Sequence, residues 1–177
     1  MKRLCLQMLL LSFCFLSGWA QYVEQHEKRA TGNVSLGAYA EHKCQLFNFG
    51  WKFQLGNPEG AERIDYDDSA WRTLDIPHDY QFEQPWDEKE NKGRGFKRMC
   101  EGWYRKTFNV PESLKGLRVV LDFEGVMYVS DVYVNGKKVA SNEYGYTGFE
   151  ADITKVVNYG SDNVVAVDWY IYHDVHE

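Results

Sequence analysis

The chain has 177 residues, of which 44% are hydrophobic and 16% aromatic, enough apolar material for one core and too little length for two ordinary domains. A (β/α)8 barrel, which needs roughly 200 residues or more, is excluded on length alone. Lys and Arg number 20 against 26 Asp and Glu, a formal charge of −6. No segment gathers the basic residues into a stripe that could follow a phosphate backbone, so nucleic acid is not an expected partner.

Residues 1–20 have the layout of a secretory signal. Lys2 and Arg3 come first, residues 4–16 form an apolar run, and Ser17-Gly18-Trp19-Ala20 ends it with small residues. Such a run is too short to span a bilayer comfortably, and polar sequence follows it. Cleavage near Ala20, export to a periplasmic or extracellular compartment and no membrane attachment afterwards are the expectations. Cys5 and Cys14 leave with the signal, so Cys44 and Cys100 remain under oxidising conditions. They could form a disulfide or stay as buried thiols, and nothing in the sequence brings their Cβ atoms together.

Residues 21–43 are polar, with Gly32, Asn33 and Gly37, and read as a flexible leader with at most one helical turn near residues 24–29. A single domain is expected from 44 to 177. Within residues 46–55, Phe47, Phe49, Trp51 and Phe53 alternate strictly, the period of a half-buried strand. Further strands are expected at residues 73–76, closed by Pro77, and at 103–110, closed by Pro111. Residues 117–123 and 127–134 follow. Asn135-Gly136 then predicts a type I′ hairpin into 137–140, because both central residues of that turn need positive φ. The last and longest run is 163–172. No window of ten residues carries a helical stripe, so the fold expected is all-β, an antiparallel sandwich.

The candidate chemistry is sparse. Asp65, Asp67 and Asp68 lack EF-hand spacing and read as a turn that hydrogen-bonds its own backbone. His173, Asp174 and His176 read as a terminus rather than a metal site. Gly93-Arg94-Gly95, in the polar insertion 87–98, lacks the third glycine of a dinucleotide fingerprint. No G-x-S-x-G elbow occurs. No cofactor and no metal are therefore expected. His78 and Asp79 follow a strand end where Pro77 sets the exit direction, so they are candidates for ligand contact, against a turn in which Asp79 caps its neighbours. Trp86, between Pro85 and Asp87, is the tryptophan expected to be exposed, and aromatic faces stack on sugars as well as filling cores.

Taken in order, these segments resemble the N-terminal sugar-binding domain of family 2 glycoside hydrolases, the β-galactosidase-like branch above all. The resemblance is carried by Phe49-Gly50-Trp51-Lys52-Phe53, Tyr66-Asp67-Asp68-Ser69-Ala70-Trp71-Arg72 and Ile76-Pro77-His78-Asp79-Tyr80. It continues in Gly102-Trp103-Tyr104-Arg105-Lys106-Thr107-Phe108, Phe123-Glu124-Gly125-Val126, Val132-Tyr133-Val134-Asn135-Gly136 and Tyr144-Gly145-Tyr146-Thr147-Gly148-Phe149. It closes with Asp152-Ile153-Thr154 and Asn163-Val164-Val165-Ala166-Val167.

The resemblance implies a jelly-roll sandwich of the galactose-binding type, with His78 and Asp79 nearest the sugar. It also implies that the catalytic glutamates of this retaining family stand in a downstream barrel. Neither Glu101 nor Glu124 takes that role, since both lie in sandwich motifs. After Val167 the family's loops look deleted, with Asp168 followed at once by Trp169-Tyr170 and with His173 where an arginine usually stands. A truncated domain, inactive by itself, is the expectation, with a β-galactoside-like carbohydrate and the downstream domains of a longer enzyme as partners. A free-standing carbohydrate-binding module and a structural interaction domain are the alternatives.

Overall fold

A computed structural model describes residues 34–35, 43–90, 92–98 and 100–170. The expected signal at 1–20, the helical turn near 24–29 and the histidines of the terminus lie outside the described residues. The chain divides into two units, Met1–Asn48 and Phe49–Glu177. In the first, β1 (Val34–Ser35) pairs antiparallel with β2 (Lys43–Cys44), Val34 opposite Cys44. The polar leader gave no strand signal there, because two residues cannot display a period.

The second unit holds β3 (Trp51–Leu55), β4 (Arg72–Leu74), β5 (Gly102–Asn109), β6 (Val120–Phe123), β7 (Val129–Val134), β8 (Lys137–Asn142), β9 (Phe149–Asp152) and β10 (Asp162–Tyr170). Six of them form one antiparallel sheet in the order β4-β3-β5-β10-β7-β8, and β6 pairs with β9 in a second. Val132, Val134, Val165 and Val167, on one face of the large sheet, are at most 3% exposed, and Ala151 and Ile153, in and just after β9, are fully buried. Two sheets that each hide an apolar face at this level make a sandwich core.

The opposite face of the large sheet has a different cover. Trp103 and Ala166 pack there with Ala61, Trp71, Tyr66 and Tyr133, so part of the irregular chain between β3 and β4 acts as a lid. Arg105, 1% exposed, holds it: its guanidinium donates to Asp68 at 2.9 Å and to the Arg63 carbonyl at 3.1 Å, and also to the Ala61 carbonyl. The same group lies 5.3 Å from the Tyr66 ring. A buried cation needs this many acceptors to offset its desolvation.

The differences from the sequence expectations are local. β3 starts at Trp51 rather than at residue 46, since Gly50 takes φ 69° and breaks the extended run. Phe49, in the alternating series, is accordingly exposed. Tyr128, at φ 65°, likewise delays β7 to Val129. β9 was not expected as a strand, because Phe-Glu-Ala-Asp is too short for alternation to show. One short helix, α1 (Tyr80–Glu83), stands where none was expected. The Asn135-Gly136 hairpin is as expected, with φ 51° and 76° and Val134 opposite Lys137. Cys44 is an exposed thiol in the first unit and Cys100 a half-buried one in the second.

Candidate functional site

Behind β4 the chain turns through a cis Ile76-Pro77 bond and lays His78 against the core face of the large sheet. The imidazole meets the Phe53 ring edge-on, with centroids 4.8 Å apart, and its side chain is only 11% exposed. Nδ1 lies 2.7 Å from the Tyr104 hydroxyl, while Nε2 lies 3.0 Å from the Arg72 guanidinium and 3.2 Å from Glu83 Oε1. Arg72 can only donate and Glu83 can only accept, so Nε2 faces Arg72 as an acceptor in one tautomer and Glu83 as a donor in the other. Arg72 also bridges Glu83 at 2.8 Å and lies over the Phe53 ring at 5.3 Å. Hydrogen bonding from Arg72 is the main reason the Glu83 carboxyl is held below its ordinary range, with His78 adding to it. Burial, reinforced by the charge of Asp79, pushes the Tyr104 phenol upward and keeps it protonated.

Asp79 does what a turn aspartate does. It is the N-cap of α1, and its Oδ1 accepts from the Gln81 amide at 2.9 Å. The cap starts the short helix that carries Glu83 back towards His78. Sequence reasoning named His78 and Asp79 but missed Arg72, Glu83 and Tyr104, which complete the ledge. Only the spacing of Glu83, five residues after His78, could have hinted at them, and it becomes informative once a helix is known to start at Tyr80.

Trp86 is 61% exposed and packs on Phe96, ring centroids 5.2 Å apart. The Asp87 amide donates to the Phe96 carbonyl at 3.0 Å, closing the polar insertion at its base and leaving Trp86 beside the closure. The three aspartates before Trp71 are each committed. Asp65 binds Arg63 through both oxygens, Asp67 accepts from the Ser69 amide, and Asp68 binds Arg105. Among the described residues no group of three His, Cys, Asp or Glu side chains could hold a metal ion.

A second electrostatic feature sits on the lid-covered face. Asp168 of β10 stands opposite Asp131 of β7. Asp131 is satisfied by the Ser141 hydroxyl and the Lys138 ammonium, both at 2.6 Å. Burial first, and then the charges of Asp131 and Glu101, push the Asp168 carboxyl up to about 6. It lies in the sheet rather than beside His78, and it carries no assigned chemistry.

The family model for the sugar binding domain of glycosyl hydrolases family 2 matches residues 58–175. A β-glucuronidase of Formosa agariphila is 34% identical over 136 residues, which cover 72% of this chain and 13% of that protein. The β-galactosidase BoGH2A of Bacteroides ovatus is 36% identical over 123 residues, 68% of this chain and 14% of the relative. Among solved structures, a glycosyl hydrolase family 2 member from Bacteroides cellulosilyticus superposes with a TM-score of 0.68 at 34% identity, covering 72% of this chain and 18% of its own. The chain thus spans less than a fifth of each of these proteins. On the family match over residues 58–175 and the identity to these relatives, the chain belongs to glycosyl hydrolase family 2 and carries that family's sugar-binding domain.

Proposed function

We propose that this chain is the sugar-facing sandwich of an exported family 2 β-glycosidase acting on β-galactoside-type substrates. Its signal would be removed near Ala20, and the catalytic glutamates would be supplied by a downstream domain. The observation that carries the reading is the family match over residues 58–175; the relatives that support it are a β-galactosidase and a β-glucuronidase. In this reading the ledge presents Arg72 and Glu83, each about half exposed, as donor and acceptor for sugar hydroxyls. His78 and Tyr104 hold them in place, and the Asp79 cap fixes the helix from which Glu83 projects. Trp86 offers an aromatic face at the neighbouring insertion.

Two measurements on the purified chain test this. Aryl β-galactosides should not be turned over, and hydrolysis abolished by substituting a carboxylate of this chain would overturn the division of labour. Methyl β-D-galactopyranoside should quench tryptophan fluorescence saturably. A flat titration would remove the sugar-binding role.

A further inference from the structure

We propose that two crossover loops at one end of the sandwich form a stacking platform for a neutral saccharide, with Tyr144 and Tyr146 as its aromatic surface. The proposal rests on the carbohydrate reading above but places a sugar contact on residues other than His78, Asp79 and Trp86. Residues 124–128 connect β6 to β7, and residues 143–148 connect β8 to β9, so both loops pass from one sheet to the other. Their roots are joined where Phe123 and Phe149, partners in the β6–β9 ladder, stack at 4.8 Å with planes 6° apart.

Above that root the loops lie backbone on backbone. A Cβ on Gly145 would come within 2.6 Å of the Tyr128 amide nitrogen and 2.7 Å of the Met127 Cα. One on Gly148 would stand 3.0 Å from the Phe123 carbonyl, and one on Gly125 3.3 Å from the Gly145 carbonyl. At Gly145 only glycine permits this approach, and at Gly148 and Gly125 any side chain would be tight. The Tyr144 carbonyl is held as well, accepting from Asn142 Nδ2 at 2.9 Å and from the Thr147 hydroxyl at 3.4 Å. The two tyrosines beside Gly145 are displayed to solvent, 60% and 75% exposed. A rigid backbone that holds aromatic side chains in water is a preorganised recognition surface, since their ordering cost is met before a ligand arrives.

The chemistry of the surface selects its occupant. The rings are 5.7 Å apart with planes inclined at 56°, so one pyranose can lie flat on one ring while the second ring turns its edge towards it. The two loops carry Glu124 and Glu143 and no lysine or arginine. Carboxylates accept hydrogen bonds from sugar hydroxyls, whereas a uronate would bring a third negative charge to two loops that carry no cation of their own. The platform therefore suits a neutral hexopyranoside and disfavours a glucuronide.

Saturation-transfer NMR on the full chain, titrating methyl β-D-galactopyranoside and methyl β-D-glucuronide separately, tests this. The galactoside should bind, the glucuronide should bind more weakly, and the double variant Tyr144→Ala/Tyr146→Ala should lose roughly tenfold in galactoside affinity at an unchanged melting temperature. Trp86→Ala should lose less. A double variant that binds like the parent overturns the platform while leaving the carbohydrate reading standing, and so does equal affinity for the two sugars. A parent chain that binds neither sugar overturns both.

Discussion

Asp168 faces a carboxylate across the β7–β10 ladder, Asp131, and like charges directly opposite each other on a sheet repel. Burial first, and this repulsion second, hold its proton up to about 6, against an ordinary value of 3.8. Between those values the folded form binds more proton than the unfolded form, so stability falls as pH rises through this window and the cost is fully present above it. Lys138 offsets part of the repulsion, but it is engaged with Asp131, and Glu101 adds to it. Asp168→Asn should therefore stabilise the protein at pH 7.5, by about 1 kcal/mol once solvent screening of this half-buried group is allowed for. The gain should shrink to nothing near pH 3.5. Urea melts of both proteins at the two pH values check it, and a gain equal at both would show that charge is not the cause. Asp152 has the opposite sign: hydrogen bonds from Thr154, and then Arg118, lower it to about 2. What it contributes is present above pH 4 and lost towards pH 2, so it cannot mimic the Asp168 effect.

At the scale of elements, the β7–β8 hairpin does more than reverse the chain. Asn135 has the positive φ that its turn requires, yet its side chain donates to the Val156 carbonyl and to Asn163 Oδ1, each at 2.8 Å, and accepts from the Val164 amide at 3.0 Å. Asn163, 1% exposed, passes the connection on to the Asn158 backbone and the Ser161 carbonyl. If Asn135 served the turn alone, Asn135→Gly would be nearly neutral, since glycine adopts that conformation freely. As a pin it should cost about 1–3 kcal/mol, read as a lower urea midpoint at unchanged slope. The turn was legible in the sequence because a type I′ hairpin restricts its two residues to a short menu. The pin was not, because its partners lie more than twenty residues away and carry no local signal. The same contrast runs through the site. His78 and Trp86 could be read from their proline-marked loops, whereas Arg72 and Tyr104 became partners only when β3, β4 and β5 were laid side by side. Strands with clear alternation or closing prolines were read correctly to within a few residues. β9 was missed because four residues are too few for alternation to show, and β3 was started too early because Gly50 takes a positive φ that no hydrophobic pattern reports.

Across the whole sandwich unit, the two faces of the large sheet are covered by different means. One is closed by a second sheet and by the cluster of Phe53, Tyr80 and Trp169, in which Trp169 lies directly over Gly102, where any Cβ would meet its indole at 2.9 Å. The other is closed by irregular chain whose own hydrogen bonds are short-range turns: Ala61 to Pro58, Arg63 to Gly60, Tyr66 to Arg63 and Trp71 to Asp68. Turns of this kind do not hold a segment against a sheet. That task falls to the burial of Ala61 and Trp71, to the Trp103 indole donating to Asn57 at 3.1 Å, and to Arg105 with Asp68. A lid tied at so few points should open as a unit below the global unfolding free energy. Asp68→Ala removes the charge partner of a buried guanidinium and should loosen the lid by about 1–3 kcal/mol. In native-state hydrogen exchange the amides of Ala61, Arg63, Tyr66 and Trp71 should then exchange markedly faster. Amides in β7 and β10, paired on both sides within the sheet, should keep most of their protection. If β7 and β10 lose protection in step with the lid, the two faces fold as one cooperative block, and Arg105 stabilises the sheet itself rather than its cover.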